Sequence, residues 1–368
     1  MRGLYIHIPF CKTICSYCDF PKRLADSNLF ETYLNRLIEE IKSYKNELND
    51  IISVYIGGGT PNVLPLNLLK RLFDEIKIYL DNSKENTIEL NPELVTNELC
   101  ELLKKYKFNR VSLGIQSFEP NSIKLLNRHH TQNDIVNAFN YLRANNITNI
   151  NCDLMFGMPN TSLNNVKNDI EYVLSYNPTH ISYYSLIIEE HTKLYLDIKN
   201  HKLEEPDEDL EADMYSYINS KLKEAGYKHY EVSNYAKDGY ESIHNKLYWA
   251  CNEYVGVGIG ASGYINGIRY SNNLGIKSYL KSFIKDSEEI SIEEQKKEFM
   301  MLGLRMLVGI NIEEYVKRFK IAPTIDFPII NDLVSKELLK IENNQIRIPE
   351  DKFFLGNIVW REFVWKRN

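Results

Sequence analysis

The sequence predicts a mixed α/β fold, a partial (β/α)6 barrel followed by a smaller C-terminal α+β domain. Three observations carry this. Short β-branched or apolar runs alternate with longer amphipathic helical patterns through the first half, the pattern of a parallel sheet with crossover helices. The chemically unusual residues fall at the C-terminal ends of those runs, where βα barrels place their active sites. From about Ser291 the pattern changes to helices and then a short hairpin.

Six strands are expected: Gly3–Ile8, Ile52–Ile56, Thr87–Leu90, Arg110–Gly114, Asn149–Leu154 and His180–Ser185. Among the helices between them, Phe30–Tyr44 puts Tyr33, Leu34, Leu37, Ile38 and Ile41 on one stripe, and Asn133–Asn145 does so with Ile135, Val136, Phe139 and Leu142. Six units rather than eight predict an open barrel whose wide mouth admits a large substrate. Leu186–Ala225 reads as helical and acidic, with Glu204–Glu211 opening a helix, and Tyr227–Tyr270 as strands and loops rich in tyrosine and glycine. Helices are then expected at Glu293–Leu307, Ile312–Phe319 and Pro328–Leu338, before a hairpin, Leu339–Ile348, turning at Asn343-Asn344. The chain divides into 1–225, 226–290 and 291–368, the last winged-helix-like. That fold often serves DNA, but without a basic recognition helix a docking or lid role is expected.

The 368 residues are 43% hydrophobic and 26% charged, enough for a large domain and a smaller one. A net charge of −6 argues against an extended nucleic-acid surface, and Lys317-Arg318-Phe319-Lys320 reads as a solvated helix face. Six cysteines are too few for a disulfide framework, and reduced thiols suit a cytoplasmic location. The chain starts almost directly with a strand, with no secretory leader pattern and no apolar run near the roughly 20 residues that span a bilayer.

After the first strand comes Cys11-Lys12-Thr13-Ile14-Cys15-Ser16-Tyr17-Cys18. Three thiolates at that spacing can hold three irons of a four-iron cluster. A cluster normally takes four cysteines, and Cys100, Cys152 and Cys251 lie far along the chain, so the open iron needs a ligand from outside. The alternatives are three unconnected thiols or zinc, which would want a fourth Cys or His in paired spacing. With its flanks, Leu4-Tyr5-Ile6-His7-Ile8-Pro9-Phe10 and Asp19-Phe20, the stretch resembles the signature of the radical S-adenosylmethionine (SAM) superfamily. The resemblance implies a TIM-like barrel and a [4Fe-4S] cluster on Cys11, Cys15 and Cys18. It also implies SAM chelating the open iron and cleaved there to a 5′-deoxyadenosyl radical.

Gly57-Gly58-Gly59-Thr60-Pro61 lets bare backbone approach a ligand or is simply a tight βα turn; it resembles the superfamily's segment for the SAM amino group. Glu89 is a carboxylate on a buried strand, expensive to leave unpaired, so it should meet a cation or hydroxyl donors such as those of ribose. Resemblance to the coproporphyrinogen-oxidase-like branch lines up Tyr5, Gly58, Gly59, Glu89, Gln116, Arg128 and Asp153 with SAM contacts. Tyr17 of the cysteine loop and Thr60 of the glycine turn are counted with them. Arg128 would otherwise be a surface ion pair; its bond to the methionine moiety rests on the match. Gly256-Val257-Gly258-Ile259-Gly260-Ala261-Ser262-Gly263 contains a formal G-x-G-x-x-G, but it opens no βαβ unit and has no acidic residue at the right distance. Its glycines read as close packing beside the barrel mouth.

His244-Asn245-Lys246-Leu247-Tyr248-Trp249 offers a neutral imidazole for haem iron and two flat faces for a porphyrin, or is an ordinary packed loop. His7 and the pair His129-His130 compete as ligands. HNxxYW is similar to the haem-binding motif of HemW-type haem chaperones, a likeness that runs from Tyr5 through the C-terminal domain. It implies that haem is bound and passed to respiratory haem proteins, at the membrane among other places, with a second copy of the chain as a candidate partner. The alternative is an enzyme, oxygen-independent coproporphyrinogen III dehydrogenase, which abstracts hydrogen from propionate side chains. Those oxidases carry a fourth cysteine two residues after the third, where this chain has Phe20, and an N-terminal extension not expected here. A third reading, an unrelated radical SAM enzyme, leaves the His244 motif unexplained.

Overall fold

A computed structural model describes residues 1–364; the last four residues of the expected 291–368 unit lie outside the described residues. All six expected strands form: β1 (Arg2–Ile8), β2 (Ile51–Gly58), β3 (Glu85–Leu90), β4 (Arg110–Gln116), β5 (Asn149–Phe156) and β6 (His180–Ser185). Each pairs in parallel with the next. Leu4, Ile6, Val54, Ile56, Ile88, Val111, Leu113, Ile150, Leu154 and Ile181 are all essentially inaccessible. They occupy alternate positions and so point to one face, where the helices pack. The other alternation, Gly3-Tyr5-His7, Ser53-Tyr55-Gly57, Glu85-Thr87-Glu89, Ser112-Gly114, Asn151-Asp153 and His180-Ser182-Tyr184, makes the barrel interior polar.

Six helices cover the outer face: α1 (Ser27–Ser43), α2 (Leu66–Asn82), α3 (Asn97–Lys105), α4 (Pro120–Leu125), α5 (Gln132–Ala144) and α6 (Leu163–Ser175). Asp26 caps α1 by accepting from the Asn28 amide at 3.0 Å, and a Thr131–Asp134 capping box opens α5. The expected stripe on α5 needs one correction. Val136 is exposed, and Ala138 joins Ile135, Phe139 and Leu142 in the core.

The sheet continues past both ends of the six. The remaining strands are β7 (Lys228–Glu231), β8 (Asn234–Ala236), β9 (Tyr254–Val257), β10 (Ser262–Ile265), β11 (Ile268–Asn272) and β12 (Ile284–Glu289). The order is β12-β11-β10-β9-β1-β2-β3-β4-β5-β6-β8-β7. Strand β9 lies parallel to β1, so the parallel portion has seven strands rather than six. Only the short helix Ile243–Trp249 precedes β9, and glycine interrupts its apolar run. Gly256 is needed there because a side chain would collide with the Ser262 carbonyl. Glu40 of α1 secures this edge from beneath, accepting from the Gly258 amide at 2.8 Å, from Asn272 Nδ2 at 2.6 Å and from the Tyr279 hydroxyl.

The acidic helix expected to open at Glu204 instead spans Glu208–Glu224; Asp207 is its cap, accepting from the Leu210 amide at 2.8 Å, and Pro206 keeps the preceding residues out. Beyond Ser291 the α-helices are Ile292–Gly303, Ile312–Phe319, Pro323–Asp326, Ile329–Ser335 and Gly356–Trp360. The first ends at Gly303, short of the expected Leu307; a side chain at 303 would press on Ile310 at 2.7 Å. Strands Lys340–Glu342 and Gln345–Arg347 form the expected hairpin. Asn343 and Asn344 both take positive φ, 49° and 61°, as a two-residue primed turn requires. Ile310–Asn311 adds a third strand, and Met300, Tyr315, Ile330, Leu333, Ile346 and Phe353 form a separate core.

Candidate functional site

The cysteine loop leaves β1 at the barrel mouth and is pinned by the segment after α4. The Ser16 amide donates to Leu126 O at 3.1 Å, the Ser16 hydroxyl to Leu125 O at 2.7 Å, and Asn127 Nδ2 to Ile14 O at 2.8 Å. Cys11, Cys15 and Cys18 are all free thiols. Arg128 reaches in with Nη1 at 3.8 Å from Cys15 Sγ and donates through Nη2 to the Gly114 carbonyl; it is a loop and barrel contact, not a surface ion pair. Burial pushes the Cys18 thiol up to about 11, opposed by Lys22, and raises Cys11 against a hydrogen bond from Thr60. Iron prefers thiolates, so metal binding here must release protons, and the Arg128 and Lys22 cations suit the anionic centre that results. Among the described residues no three His, Cys, Asp or Glu side chains gather tightly enough around one metal ion. A cluster does not ask for that, because each thiolate takes its own iron. The donor set fits a cluster with one open iron. Cys100 and Cys152, by contrast, are fully buried.

Beside the loop, the glycine turn is shaped by its own neighbours. A side chain at Gly57 would lie 2.7 Å from the Glu89 carboxylate, and one at Gly58 (φ 109°) would strike the His7 ring. The Gly59 and Thr60 amides donate to Ile8 O and Phe10 O, both at 2.8 Å. An ammonium group only donates, so what the turn can offer it is acceptors, its carbonyl oxygens and the Thr60 hydroxyl. Glu89 meets hydroxyl and amide donors as expected: Tyr55 donates to Oε1 at 2.7 Å and the Gly58 amide to Oε2 at 3.0 Å. Burial raises its pKa to about 7, against those two bonds and helped by Asp153. Asp153 is raised too, by burial, and accepts from Ser112 and Asn151, each at 2.8 Å. Gln116 sits at a bulge in the β4–β5 pairing with φ of 69°, an uncommon conformation for a side chain of its kind. That conformation brings its amide beside Arg128 at Gly114. Tyr5, Glu89, Gln116, Arg128 and Asp153 thus all face the mouth. Tyr17 lies among the cysteines, and burial raises its pKa well above the usual phenol range, with Cys15 adding to the rise.

The histidines divide sharply. His7 accepts from or donates to Tyr5 Oη at 2.9 Å through Nδ1 and pairs with Pro21 O at 2.7 Å through Nε2. A carbonyl only accepts, so Nε2 carries the proton and Tyr5 donates to Nδ1. His244 is 1% exposed in the helix Ile243–Trp249, whose N-terminus is capped by Glu85 through the Ile243 and His244 amides at 3.0 and 2.9 Å. Its Nδ1 meets Ser53 Oγ at 2.8 Å and its Nε2 meets Tyr248 Oη at 2.8 Å, and its ring stacks on Tyr55 with centroids 5.0 Å apart. The motif therefore plugs the floor of the barrel. The strands β2 and β3 hold it directly, through Ser53 and Glu85.

The Radical SAM superfamily matches residues 5–173, and the HemN C-terminal domain matches residues 290–351. The haem chaperone HemW of Lactococcus lactis is 38% identical over 99% of this chain and 97% of its own length. The HemW of Bacillus subtilis is 37% identical over 99% of both. The chain belongs to the HemW family. Escherichia coli coproporphyrinogen III oxidase, HemN, superposes with a TM-score of 0.85 over 98% of this chain and 89% of its own at 20% identity, which shows the shared fold. Membership in the radical SAM superfamily implies a [4Fe-4S] cluster and SAM.

Two residues of this HemW-family site escape motif reading. Tyr55 links Glu89 to His244, and Ser112 holds Asp153. The signal for both was the period-two alternation, which puts Ser53, Tyr55 and Gly57 on the same face as Glu85, Thr87 and Glu89. Among the described residues no helix is long and apolar enough to cross a membrane.

Proposed function

We propose that the chain holds a [4Fe-4S] cluster on Cys11, Cys15 and Cys18 and binds SAM against Tyr5, Gly58, Gly59, Glu89, Gln116, Arg128 and Asp153. It binds haem and delivers it to haem-accepting respiratory proteins, from the cytoplasm and without a nucleic-acid partner. The observation that carries this is the three-thiol loop clasped by Arg128 at the mouth of a polar barrel, in a chain of the HemW family. When bound to the open iron of a reduced cluster, SAM supplies an organic radical in the superfamily. The chain's own residues hold the cofactor: Glu89 and Asp153 accept from hydroxyls, and Arg128 balances the anionic loop.

The dehydrogenase alternative turns on Phe20, which is 61% exposed and has no thiol to offer. Protein reconstituted with iron and sulfide under anaerobic conditions, with SAM and reductant, is expected to show a haem Soret band on titration and no oxidation of coproporphyrinogen III. Formation of protoporphyrinogen IX by the wild-type chain would replace the chaperone reading with the dehydrogenase.

A further inference from the structure

Asp169 is a carboxylate buried in the helix layer, 1% exposed at the middle of α6. It shares the buried stripe of that helix with Val166, Ile170 and Val173, and a carboxylate in such company is costly unless it meets donors. The donors come from the segment that leaves β4. The Phe118 amide donates to Oδ1 at 2.7 Å, and the Ser117 hydroxyl is shared between Oδ1 at 3.1 Å and Oδ2 at 2.9 Å. That hydroxyl in turn accepts from the Glu119 amide at 3.0 Å. Neighbours of Asp169 on the same side add to the grip. Asn168 Nδ2 donates to Glu119 Oε1 at 2.8 Å, and the Phe118 ring stacks on Tyr172 and Tyr176 with centroids 5.4 and 5.8 Å apart.

What this grip fixes lies one residue upstream. The Ser117 amide donates to Ile115 O at 2.9 Å, closing a three-residue turn on Gln116, whose φ is 69°. A γ-turn with positive φ at its centre is rare and strained, and such a conformation persists only where the surroundings over-determine it. Ser117 does so here. It is fully buried; its amide closes the turn and its hydroxyl is held by Asp169. The turn sends the Gln116 side chain toward the mouth, where a Cβ built on Gly114 would lie 3.3 Å from both Gln116 Nε2 and Arg128 Nη2.

We propose that Asp169 is a positioning residue for SAM: from the helix layer it holds Ser117 and Phe118 so that Gln116 keeps its left-handed turn and presents its amide to the cofactor. This rests on the reading that SAM binds at the barrel mouth against Gln116. A carboxylate that merely staples the segment to α6 would contribute to stability without acting through Gln116, and the two roles separate in a double-mutant cycle.

The test titrates SAM by calorimetry into cluster-reconstituted wild type, Asp169→Ala, Gln116→Ala and the double variant, with the denaturation midpoint of each. Hydrogen exchange at the Phe118 amide, measured without SAM, reports whether the grip is released. Gln116→Ala is expected to lower SAM affinity at least tenfold and Asp169→Ala at least fivefold, with the cluster absorbance kept and the Phe118 amide exchanging faster. The double variant should bind SAM no more weakly than Gln116→Ala alone. Asp169→Asn, whose one carbonyl oxygen can still accept from Phe118, should fall between wild type and Asp169→Ala, and it carries the same cycle if the alanine chain does not fold. Effects that multiply in the double variant would overturn the proposal in favour of a staple. Wild-type SAM affinity in a folded Asp169→Ala, or in Asp169→Asn where alanine does not fold, would overturn it as well. Absence of SAM binding by the wild type, or wild-type affinity in Gln116→Ala, would instead remove the reading of the mouth on which it rests.

Discussion

Alanine at any one of Cys11, Cys15 or Cys18 is expected to abolish the iron–sulfur absorption and the SAM-sensitive EPR signal of the reduced, reconstituted protein. The loss should be complete rather than graded, because each thiolate holds its own iron and no free thiol stands in reserve. Cys100 and Cys152 are fully buried, and alternation puts Cys152 on the helix-facing side of β5. Cys251 stands in the turn after the helix Ile243–Trp249, where burial pushes its thiol up to about 12. Alanine at these three should therefore leave the signal in place. Loss of the signal on changing one of them, with the loop cysteines intact, would mean that the cluster is elsewhere. The loop should stay folded without metal, since Ser16 and Asn127 anchor it by hydrogen bonds that involve no thiol. A circular dichroism spectrum unchanged in Cys15→Ala would separate loss of ligand from loss of structure.

The six βα strands were legible because their signal is local: an apolar residue at every second position and chemically unusual residues at the C-terminal end. Strand β9 was not. It reaches β1 from some 250 residues away and contributes only four residues, one of them a glycine required by Ser262. The mouth residues were legible for a related reason. A carboxylate such as Glu89 within an aliphatic strand violates the burial rule, and such violations mark sites. What the pattern could not give is which ring nitrogens are already bonded. HNKLYW reads as an open haem ligand set, yet Ser53 and Tyr248, one distant in sequence and one a helical turn away, close both nitrogens of His244. The dipeptide His129-His130 carries no such pattern, and only the packing of α4 against α5 leaves His130 unpartnered.

His244→Ala is expected to act on SAM and on stability, in contrast to what a ligand in an open loop would do. Removing the ring leaves Ser53 and Tyr248 without their partner, at roughly 1–3 kcal/mol for each buried polar group left unsatisfied. It also takes away the surface on which Tyr55 stacks. Tyr55 is the donor that fixes Glu89 Oε1, so a loosened Tyr55 lets the carboxylate leave the position it holds beside Gly57. Glu89→Gln sets the scale: losing a charge-assisted bond to a ribose hydroxyl, worth roughly 1.5–3 kcal/mol, should lower SAM affinity at least tenfold with the cluster intact. By calorimetry His244→Ala should show a drop in SAM affinity of the same direction, together with a lower denaturation midpoint. His244→Gln, which can still reach one of the two hydroxyls, should recover part of both. A haem spectrum that keeps its wild-type ligand signature would mean that His244 does not hold the iron. Unchanged SAM affinity in a destabilised His244→Ala would reduce the residue to a plug in the barrel floor. A lost ligand signature would return it to the iron.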